Sequence, residues 1–234
     1  MKNFPVIPGC ELYLCGGSCR DYILKKPAKD RDFVVITEHT FDELVDIINS
    51  FPNSQVFLAK KEFNTIRCKI DHEVIDLVFP RLDGEYTDGR HPNYIVNADS
   101  LEADSTRRDF TMNAMYIDKY GILYDFHNGE QHIKNKIIYT VGDANKRFQE
   151  DYLRILRAVR FSCQLDFDIS TDVLTAMKLN AHNLSLISTE RIMDELNRSF
   201  IADPEKTIKY INYLSLYNIL QEKRVNFLLT NKQL

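Results

Sequence analysis

The spacing of the apolar residues changes near Ile138, and this change constrains the fold more than any other feature of the sequence. Before that point, short runs rich in β-branched residues are separated by turn residues, as in strands that alternate with helices. The pattern predicts strands at 11–15, 33–36, 55–59, 65–70, 73–79 and 122–125, and helices at 18–25, 41–49 and 108–115. After that point, apolar residues recur at three- and four-residue spacing, which predicts helices at 145–163, 171–180, 189–201 and 204–217. We therefore expect an α/β head followed by an all-helical remainder.

Composition narrows the class of protein. The 234 residues are 44% apolar and 27% charged, which is typical of a chain that buries a core. No run approaches the roughly 18 consecutive apolar residues of a membrane span. Pro5, Pro8 and Glu11 interrupt the N-terminal stretch, where a signal peptide needs an apolar run. We expect a cytoplasmic protein with no membrane association, and nothing in the sequence indicates an obligate protein partner.

The net charge and the cysteine spacing argue against further classes of protein. A formal net charge of −4 excludes a basic coat for nucleic acid over the whole surface. From Lys206 onward, however, five basic residues stand against one acid, a positive segment that also fits a solvated helix face. The five cysteines contain no C-x-x-C pair, which favours reduced thiols over a disulfide framework or a zinc site.

A predicted strand that runs into Gly16 and Gly17 and then into a helix is the first feature that carries chemistry. Glycines let a backbone approach a phosphate closely, and the amides at a helix start favour an anion. Arg20, on the first turn of that helix, can hold the same phosphate. A Gly-Gly pair before a helix is also a common turn, so the residues alone leave both interpretations open.

Three carboxylates lie at or within predicted strands. Asp30 and Asp32 are two residues apart, so their side chains point to the same side and can hold one hard cation such as Mg²⁺. Asp76 lies in an apolar strand, where a buried charge is costly unless it is paired or bound to metal. Three acids on neighbouring strands suit two-metal phosphoryl transfer. The alternatives are a solvated strand end with Arg31 as the partner, and an exposed face for Asp76.

Arg107 and Arg108 stand at the start of the predicted helix 108–115. Positive charge there opposes the helix dipole, so another group must favour it. A triphosphate is one such group. A structural salt bridge to Asp104 or Asp109 is the other.

A second arrangement of charges lies in the predicted helix 145–163. Asp151, Arg154 and Arg157 fall within a third of its circumference, and Arg160 lies further round. A carboxylate only accepts and a guanidinium only donates, so Asp151 with Arg154 matches the edge that cytosine and adenine share and mismatches guanine and uracil. The pair can thus distinguish nucleotides without a template, although arginines at this spacing also commonly form surface ion pairs.

Taken in order, these motifs resemble those of the class II tRNA nucleotidyltransferase and bacterial poly(A) polymerase family, from about Leu12 to Phe200. The matching motifs are Gly16-Gly17-Ser18-Cys19-Arg20-Asp21, Asp30-x-Asp32, Arg107-Arg108-Asp109-Phe110-Thr111-Met112-Asn113-Ala114, Glu150-Asp151-Tyr152-Leu153-Arg154 and its continuation to Phe161, and Thr189-Glu190-Arg191-Ile192 with Glu195-Leu196. Cys19 stands where the family usually has an aliphatic residue.

The resemblance implies an α+β fold, with a polymerase-beta-like nucleotidyltransferase head built on a mixed sheet at 1–138, a helical, nucleotide-selecting neck at 139–205 and a partial helical body at 206–234. It implies catalysis by Asp30, Asp32 and Asp76, with Mg²⁺ as the cofactor held by Asp30 and Asp32. The nucleotide-binding residues that it implies are Gly16, Gly17, Arg20, Arg108, Asp109, Asn113, Asp151, Arg154, Arg157 and Arg160.

The activity that the resemblance implies is template-independent addition of C and A, from CTP and ATP, to the 3′ end of a tRNA, with release of pyrophosphate. Segment 86–92 resembles the flexible loop that CCA-adding members have and CC-only members lack, which favours full CCA addition. CC-only addition, A-only addition, poly(A) synthesis and a non-catalytic RNA-binding remnant are the alternatives. Family members commonly continue into helical domains that grip tRNA, whereas this sequence ends at Leu234, so the positive segment after Lys206 is the candidate for a partial substitute.

Overall fold

The structure, a computed structural model, describes residues 4–27, 31–86 and 93–225. The chain forms two compact units. The first comprises Met1–Gly84 and Tyr94–Ile133, and the second comprises Glu85–Asn93 and Lys134–Leu234. The domain boundaries after residues 138 and 205 stay predictions.

A seven-stranded sheet forms the centre of the first unit. The strands of this unit are β1 (Cys10–Cys15), β2 (Arg31–Thr37), β3 (Gln55–Lys60), β4 (Thr65–Ile70), β5 (Glu73–Val78), β6 (Arg81–Asp83), β7 (Ile95–Asn97), β8 (Met115–Ile117) and β9 (Leu123–Asp125). Their order in the large sheet is β3-β4-β5-β2-β1-β8-β9, and β6 pairs with β7 separately. Strands β2 and β5 are parallel while the other neighbours are antiparallel, so the predicted mixed sheet is confirmed.

The core of the first unit is built around β2. Phe33, Val34 and Val35 are consecutive and all fully buried, so both faces of this strand are covered. Val34 belongs to a cluster with Cys15 and Tyr116. Burying one large apolar side chain stabilises a fold by about 1.5–3 kcal/mol. The buried residues of β2 therefore fix the position of the backbone at Asp32, which precedes them in the same strand.

Four short helices accompany these strands: α1 (Gly16–Ile23), α2 (Phe41–Ser50), α3 (Leu101–Ser105) and α4 (Gly129–Lys134). Helix α2 begins with a reciprocal cap, because the Thr40 hydroxyl accepts from the Glu43 amide while the Glu43 carboxylate accepts from the Thr40 amide. Helix α1 follows β1 without an intervening residue, as the strand–glycine–helix pattern predicts.

Helices dominate the second unit. They are α5 (Ala144–Glu150), α6 (Leu153–Leu165), α7 (Thr171–Asn180), α8 (Thr189–Ala202), α9 (Pro204–Tyr213) and α10 (Tyr217–Glu222). Helix α6 packs against α8, and α5 packs against α7. The two-residue strands β10 (Ile137–Ile138) and β11 (Asp168–Ile169) pair in parallel. The periodicity predicts a purely helical remainder, and this prediction is wrong at these two strands.

Three of the predicted helices are wrong. The helix at 108–115 is absent; a 3-10 turn at Thr111–Asn113 and strand β8 occupy this stretch. The helix at 145–163 is broken between α5 and α6, and the helix at 204–217 ends at Tyr213 before α10 begins. Apolar spacing continues in phase across such short breaks, so periodicity alone does not reveal them.

Within residues 4–27, 31–86 and 93–225, no helix has the length and apolar character that crossing a bilayer requires.

Candidate functional site

Asp32 and Asp76 occupy directly paired positions on the parallel strands β2 and β5. Paired residues project from the same face of a sheet, so the fold brings these two predicted catalytic acids together. Both residues are half-buried. Asp30 lies outside the described residues, and its place beside Asp32 stays a prediction.

Ser18 links the glycine motif to the first of these acids. The backbone N–H of Asp32 donates to Ser18 Oγ at 3.1 Å, and Ser18 Oγ lies 3.4 Å from Asp32 Oδ2, to which it donates. Ser18 is buried. Sequence reasoning did not single out this serine, because its contact with Asp32 depends on how α1 lies against β2.

The glycine motif passes close to both an acid and an arginine. Gly16 has φ +60°, in the left-handed region that favours glycine. A Cβ atom at Gly16 would lie 3.4 Å from Arg108 Nη1 and 3.9 Å from Asp32 Oδ2. The amides of Gly17 and the next residue stand in the first turn of α1, where the helix leaves its N–H groups without helical partners. This arrangement can accept an anion, and its phosphate role stays a prediction.

Three of the predicted nucleotide-binding residues form one hydrogen-bonded network. Arg20, which is buried, donates from Nη1 to Asn113 Oδ1 at 2.8 Å. Asn113 Nδ2 in turn donates to Asp109 Oδ1 at 3.1 Å. Arg20 Nη2 also pairs with Asp21 at 2.7 Å. The network fixes the direction of the Arg20 guanidinium relative to the 3-10 turn that carries Asn113.

Arg107 and Arg108 follow the end of α3 instead of starting a helix, so the argument from an opposing dipole is wrong. Asp104 on α3 pairs with both: Arg107 Nη2 lies 2.7 Å from Oδ1, and Arg108 Nη2 lies 2.9 Å from Oδ2. Burial by itself raises the pKa of Asp104, but the two guanidiniums and a hydrogen bond from Tyr116 outweigh it and lower that pKa from 3.8 to about 2. The salt bridge to Asp104 that the sequence offers as an alternative is therefore present.

Arg67 is a neighbour of Asp76 that sequence reasoning missed. It lies opposite Asp76 on β4, with Nη1 3.3 Å from Asp76 Oδ2. Arg31 lies on the opposite face of β2 from Asp32, where it pairs with Glu73 at 2.9 Å. Asp76 is thus half-buried and paired with Arg67, so it does not lie on a fully exposed face, and its binding to a metal stays a prediction.

The donor chemistry at Asp32 and Asp76 fits a hard cation, since carboxylate oxygens are the ligands that Mg²⁺ prefers. No group of three or more His, Cys, Asp or Glu side chains that could hold a metal occurs among the residues that the structure describes. These residues do not include Asp30, so the predicted metal ligands Asp30 and Asp32 stay a prediction.

In the second unit, Asp151 lies at the break between α5 and α6. Its Oδ1 accepts from the backbone N–H of Leu153 at 3.0 Å, which gives the chain a local alternative to continuing the helix. The prediction that Asp151 shares a helix face with Arg154 and Arg157 is therefore wrong. The backbone nevertheless keeps Asp151 and Arg154, the two residues predicted to select the base, next to each other, because the Arg154 N–H donates to the Asp151 carbonyl at 3.0 Å.

Arg191, on α8, holds the other oxygen of Asp151. Its Nη2 lies 3.1 Å from Asp151 Oδ2. Its Nη1 is buried and has no hydrogen-bond partner in the described part of the chain. The sequence shows Arg191 as part of the last family motif, but its contact with Asp151 arises only because α8 packs against α6.

Arg154 is buried and anchored within the same unit. Its Nη1 donates to the Arg147 carbonyl at 2.9 Å and pairs with Glu150, whose Oε2 also accepts from Arg147 Nη1 at 2.8 Å. The Arg154 guanidinium lies 6.0 Å from the ring centre of Tyr86. These contacts restrict the guanidinium, as a base-reading role requires.

Arg157 and Arg160 share Glu195 of α8. Arg160 Nε lies 2.6 Å from Oε2, and Arg157 Nη1 lies 3.9 Å from Oε1. Arg160 and Glu195 are both buried, so the surface ion pair offered as an alternative does not describe them. Arg157 is half-exposed, whereas Arg160 is buried. A site role for either stays a prediction.

Comparison with known proteins identifies the family. Residues 12–139 match the family described as the Poly A polymerase head domain. The chain belongs to this family. Residues 166–223 match a second family, described as the "probable RNA and SrmB-binding site of polymerase A". The family match and the nucleotidyltransferase-type mixed sheet confirm the resemblance and the α+β fold that the motifs indicate.

Relatives in this family are named CCA-adding enzymes. Those of Staphylococcus aureus (strain Newman) and Staphylococcus epidermidis are 37% and 36% identical over 225 and 216 residues, which are 93% and 89% of this chain. The matches cover 54% and 52% of the relatives' own lengths, so the chain spans about half of the curated relatives it matches.

Solved structures of the family have the same fold. The CCA-adding enzyme of Bacillus stearothermophilus in complex with CTP matches with a TM-score of 0.72 at 33% identity, over 83% of this chain and 45% of that one. The Thermotoga maritima CCA-adding enzyme complexed with tRNA matches with a TM-score of 0.75 at 25% identity, over 90% of this chain and 48% of that one.

Proposed function

We propose that this chain carries a template-independent nucleotidyltransferase that adds C and A, from CTP and ATP, to the 3′ end of a tRNA and releases pyrophosphate. The pairing of Asp32 with Asp76 next to the Gly16 loop and Arg108 is the observation that carries the proposal. Relatives named CCA-adding enzymes, including structures with CTP and with tRNA, support it.

In this proposal, Asp30 and Asp32 hold Mg²⁺, and Asp76 is the third catalytic acid. When bound, the ion neutralises charge on the phosphates and on the attacking and leaving oxygens. Ser18 helps to keep Asp32 in place, since its hydroxyl accepts from the Asp32 backbone N–H and donates to the Asp32 carboxylate. Most of the rate then comes from holding the 3′-hydroxyl in line with the α-phosphorus and from fixed charges around the phosphates.

Phosphate binding falls to the glycine motif and the arginines near it. The amides of Gly16 and Gly17 provide donors at the start of α1. Arg20 and Arg108 provide positive charge, and each is fixed by carboxylate or amide oxygens of its own unit. Asp109 and Asn113 support Arg20 through their network.

Nucleotide selection falls to Asp151 and Arg154, with Arg157 and Arg160 beside the nucleotide. Asp151 accepts hydrogen bonds and Arg154 donates them, in the order that cytosine and adenine require. The anchoring of Asp151 by Arg191 and of Arg154 by Glu150 supports this role, since a reader of base edges must be held in place.

We also propose the division into a head at 1–138, a neck at 139–205 and a partial body at 206–234. The substrates, a tRNA and nucleoside triphosphates, are cytoplasmic molecules, so we propose that the protein acts in the cytoplasm.

An incorporation assay tests the function. The purified chain is incubated with a tRNA that lacks its CCA end, Mg²⁺ and each nucleoside triphosphate, singly and in pairs, and product lengths are read on a gel. We expect two added residues with CTP alone, three with CTP and ATP, and none with GTP or UTP. Two residues with both nucleotides identifies CC-only addition, and long tails with ATP identify poly(A) synthesis. No addition to this tRNA but one A added to a tRNA that already ends in CC identifies A-only addition.

Nucleotide binding separates the enzyme from a non-catalytic RNA-binding protein. We expect Mg²⁺-dependent binding of CTP and ATP that exceeds binding of GTP and UTP. Equal binding of the four nucleotides would contradict selection by Asp151 and Arg154, and RNA binding without any nucleotide binding would contradict the enzymatic proposal.

A further inference from the structure

Asp104 is a fully buried carboxylate that collects donors from three side chains. Oδ1 accepts from Arg107 Nε at 2.9 Å, and Oδ2 accepts from Arg108 Nη2 at 2.9 Å and from the Tyr116 hydroxyl at 2.7 Å. The backbone N–H of Arg81 adds a fourth donor at 3.2 Å. Burying a charged group is costly, and this set of donors offsets the cost.

The same contacts determine where Arg108 can point. Its Nε donates to Asp104 Oδ2 and to the Tyr116 oxygen at 3.2 and 3.1 Å, so Nε and Nη2 are both engaged. Because a guanidinium is planar, fixing two of its nitrogens fixes the third. That third atom, Nη1, is the one that a Cβ at Gly16 would meet at 3.4 Å. The Nη1 edge of Arg108, which also lies near the Cys15 thiol, therefore faces the glycine motif.

We propose that Asp104 and Tyr116 are positioning residues, which hold Arg108 so that Nη1 faces the phosphates of the incoming nucleotide at the Gly16 loop. The inference rests on the proposed function and deepens it, since both residues act through Arg108. Tyr116 contributes twice, through its hydroxyl and through its ring, whose centre lies 5.1 Å from the Arg108 guanidinium carbon. The competing interpretation is that the cluster only ties α3 to the sheet.

A matched pair of variants separates these interpretations. Tyr116 and Tyr124 are cross-strand partners on β8 and β9, and each donates its hydroxyl to a carboxylate, Asp104 and Asp118 respectively. Tyr116→Phe removes only the hydroxyl next to Arg108, and Tyr124→Phe removes the equivalent hydroxyl away from it. We expect Tyr116→Phe to raise the KM for CTP by about 3- to 10-fold with a smaller change in kcat, and Tyr124→Phe to change the KM by less than about 2-fold.

A double-mutant cycle provides a readout that a structural role would not move. In an Arg108→Ala background, adding Tyr116→Phe should leave the KM for CTP unchanged, because Tyr116 acts through Arg108. Asp104→Asn should also raise the KM for CTP, and by more than Tyr116→Phe does. If Asp104→Asn fails to fold, Tyr116→Phe and the double-mutant cycle still distinguish a positioning role from a purely structural one.

An unchanged KM in Tyr116→Phe, or an equal rise with and without Arg108, would overturn the inference even if the melting temperature falls. Both outcomes presuppose that the unmodified chain binds CTP and incorporates it. Absence of CTP binding by the unmodified chain would instead overturn the proposed function, and this inference with it.

Discussion

Arg191 and Asp151, separated by 40 positions in the sequence, form an ion pair with 3.1 Å between Nη2 and Oδ2. The pair connects α8 to the break between α5 and α6, and it leaves Asp151 with both carboxylate oxygens held. If Asp151 reads the base, its accuracy depends on a residue in another helix.

Arg191→Leu should therefore weaken nucleotide discrimination. Removing the guanidinium leaves Asp151 held by one backbone amide, and we expect the preference for CTP over UTP to fall by roughly 10-fold, since a hydrogen bond to a charged group contributes about 1.5–3 kcal/mol. The measurement is the ratio of kcat/KM for the two nucleotides.

Arg198→Leu is the matched control for that variant. Arg198 lies on the same helix and pairs with Asp194 at the same 3.1 Å, but both side chains are exposed. Exposed ion pairs contribute little, so its discrimination should stay within about 2-fold of the unmodified chain. A similar loss in both variants would point to a general effect on α8.

Asp151→Asn should change which bases are accepted. The amide group adds a donor where the carboxylate only accepts, so incorporation of CTP should become less efficient by about 10-fold while incorporation of UTP rises. Single-nucleotide incorporation rates provide the measurement, with Asp194→Asn as the control on an exposed carboxylate of the same unit. A loss of equal size for all four nucleotides would argue against base reading by Asp151.

Asp32→Asn and Asp76→Asn should each abolish transfer while the fold persists. Either change removes one negative charge from the site but keeps a side chain of the same shape, so we expect the rate to fall by at least about 100-fold with little change in circular dichroism. Asp46→Asn, an exposed position on α2, is the control. Near-normal incorporation by Asp32→Asn would contradict the assignment of the catalytic acid.

Asp104 should make the free energy of unfolding depend on pH in the acidic range. Burial raises the pKa of Asp104, but the guanidiniums of Arg108 and Arg107 outweigh this effect and lower the pKa from 3.8 to about 2. Since the folded value is the lower one, the unfolded chain takes up this proton first, and the stabilisation is complete above about pH 5 and is lost as the pH falls towards 2. The loss amounts to about 2 kcal/mol.

Urea unfolding at several pH values measures this effect. The free energy of unfolding of the unmodified chain should fall by about 2 kcal/mol more between pH 5 and 2 than that of Asp104→Asn, which has no such proton to take up. Asp46→Asn should follow the unmodified chain. Parallel curves for the unmodified chain and Asp104→Asn would show that the two arginines do not stabilise the Asp104 carboxylate.

Local patterns predicted the elements well where they were long enough to show periodicity. Strand β4 and helix α7 agree with their predicted bounds, and β1, β2, α2 and α8 differ by one or two residues at their ends. Strands β6, β7 and β8, of three residues each, were missed although β9 of the same length was predicted, because an element this short shows little alternation. The helix predicted at 108–115 fails for a related reason, since apolar residues in a 3-10 turn and a short strand imitate helical spacing.

The amino-acid sequence by itself determined which chemical groups are present and in what order: carboxylates at the start of β2 and within β5, glycines before α1, and arginines along α6. The tertiary structure decided what each of these groups contacts. Arg67 meets Asp76, Asp104 holds Arg108, and Arg160 is held by Glu195 only because strand register and helix packing bring distant residues together. Periodicity reports which face of an element a residue occupies, whereas an ion pair depends on the element that packs against that face.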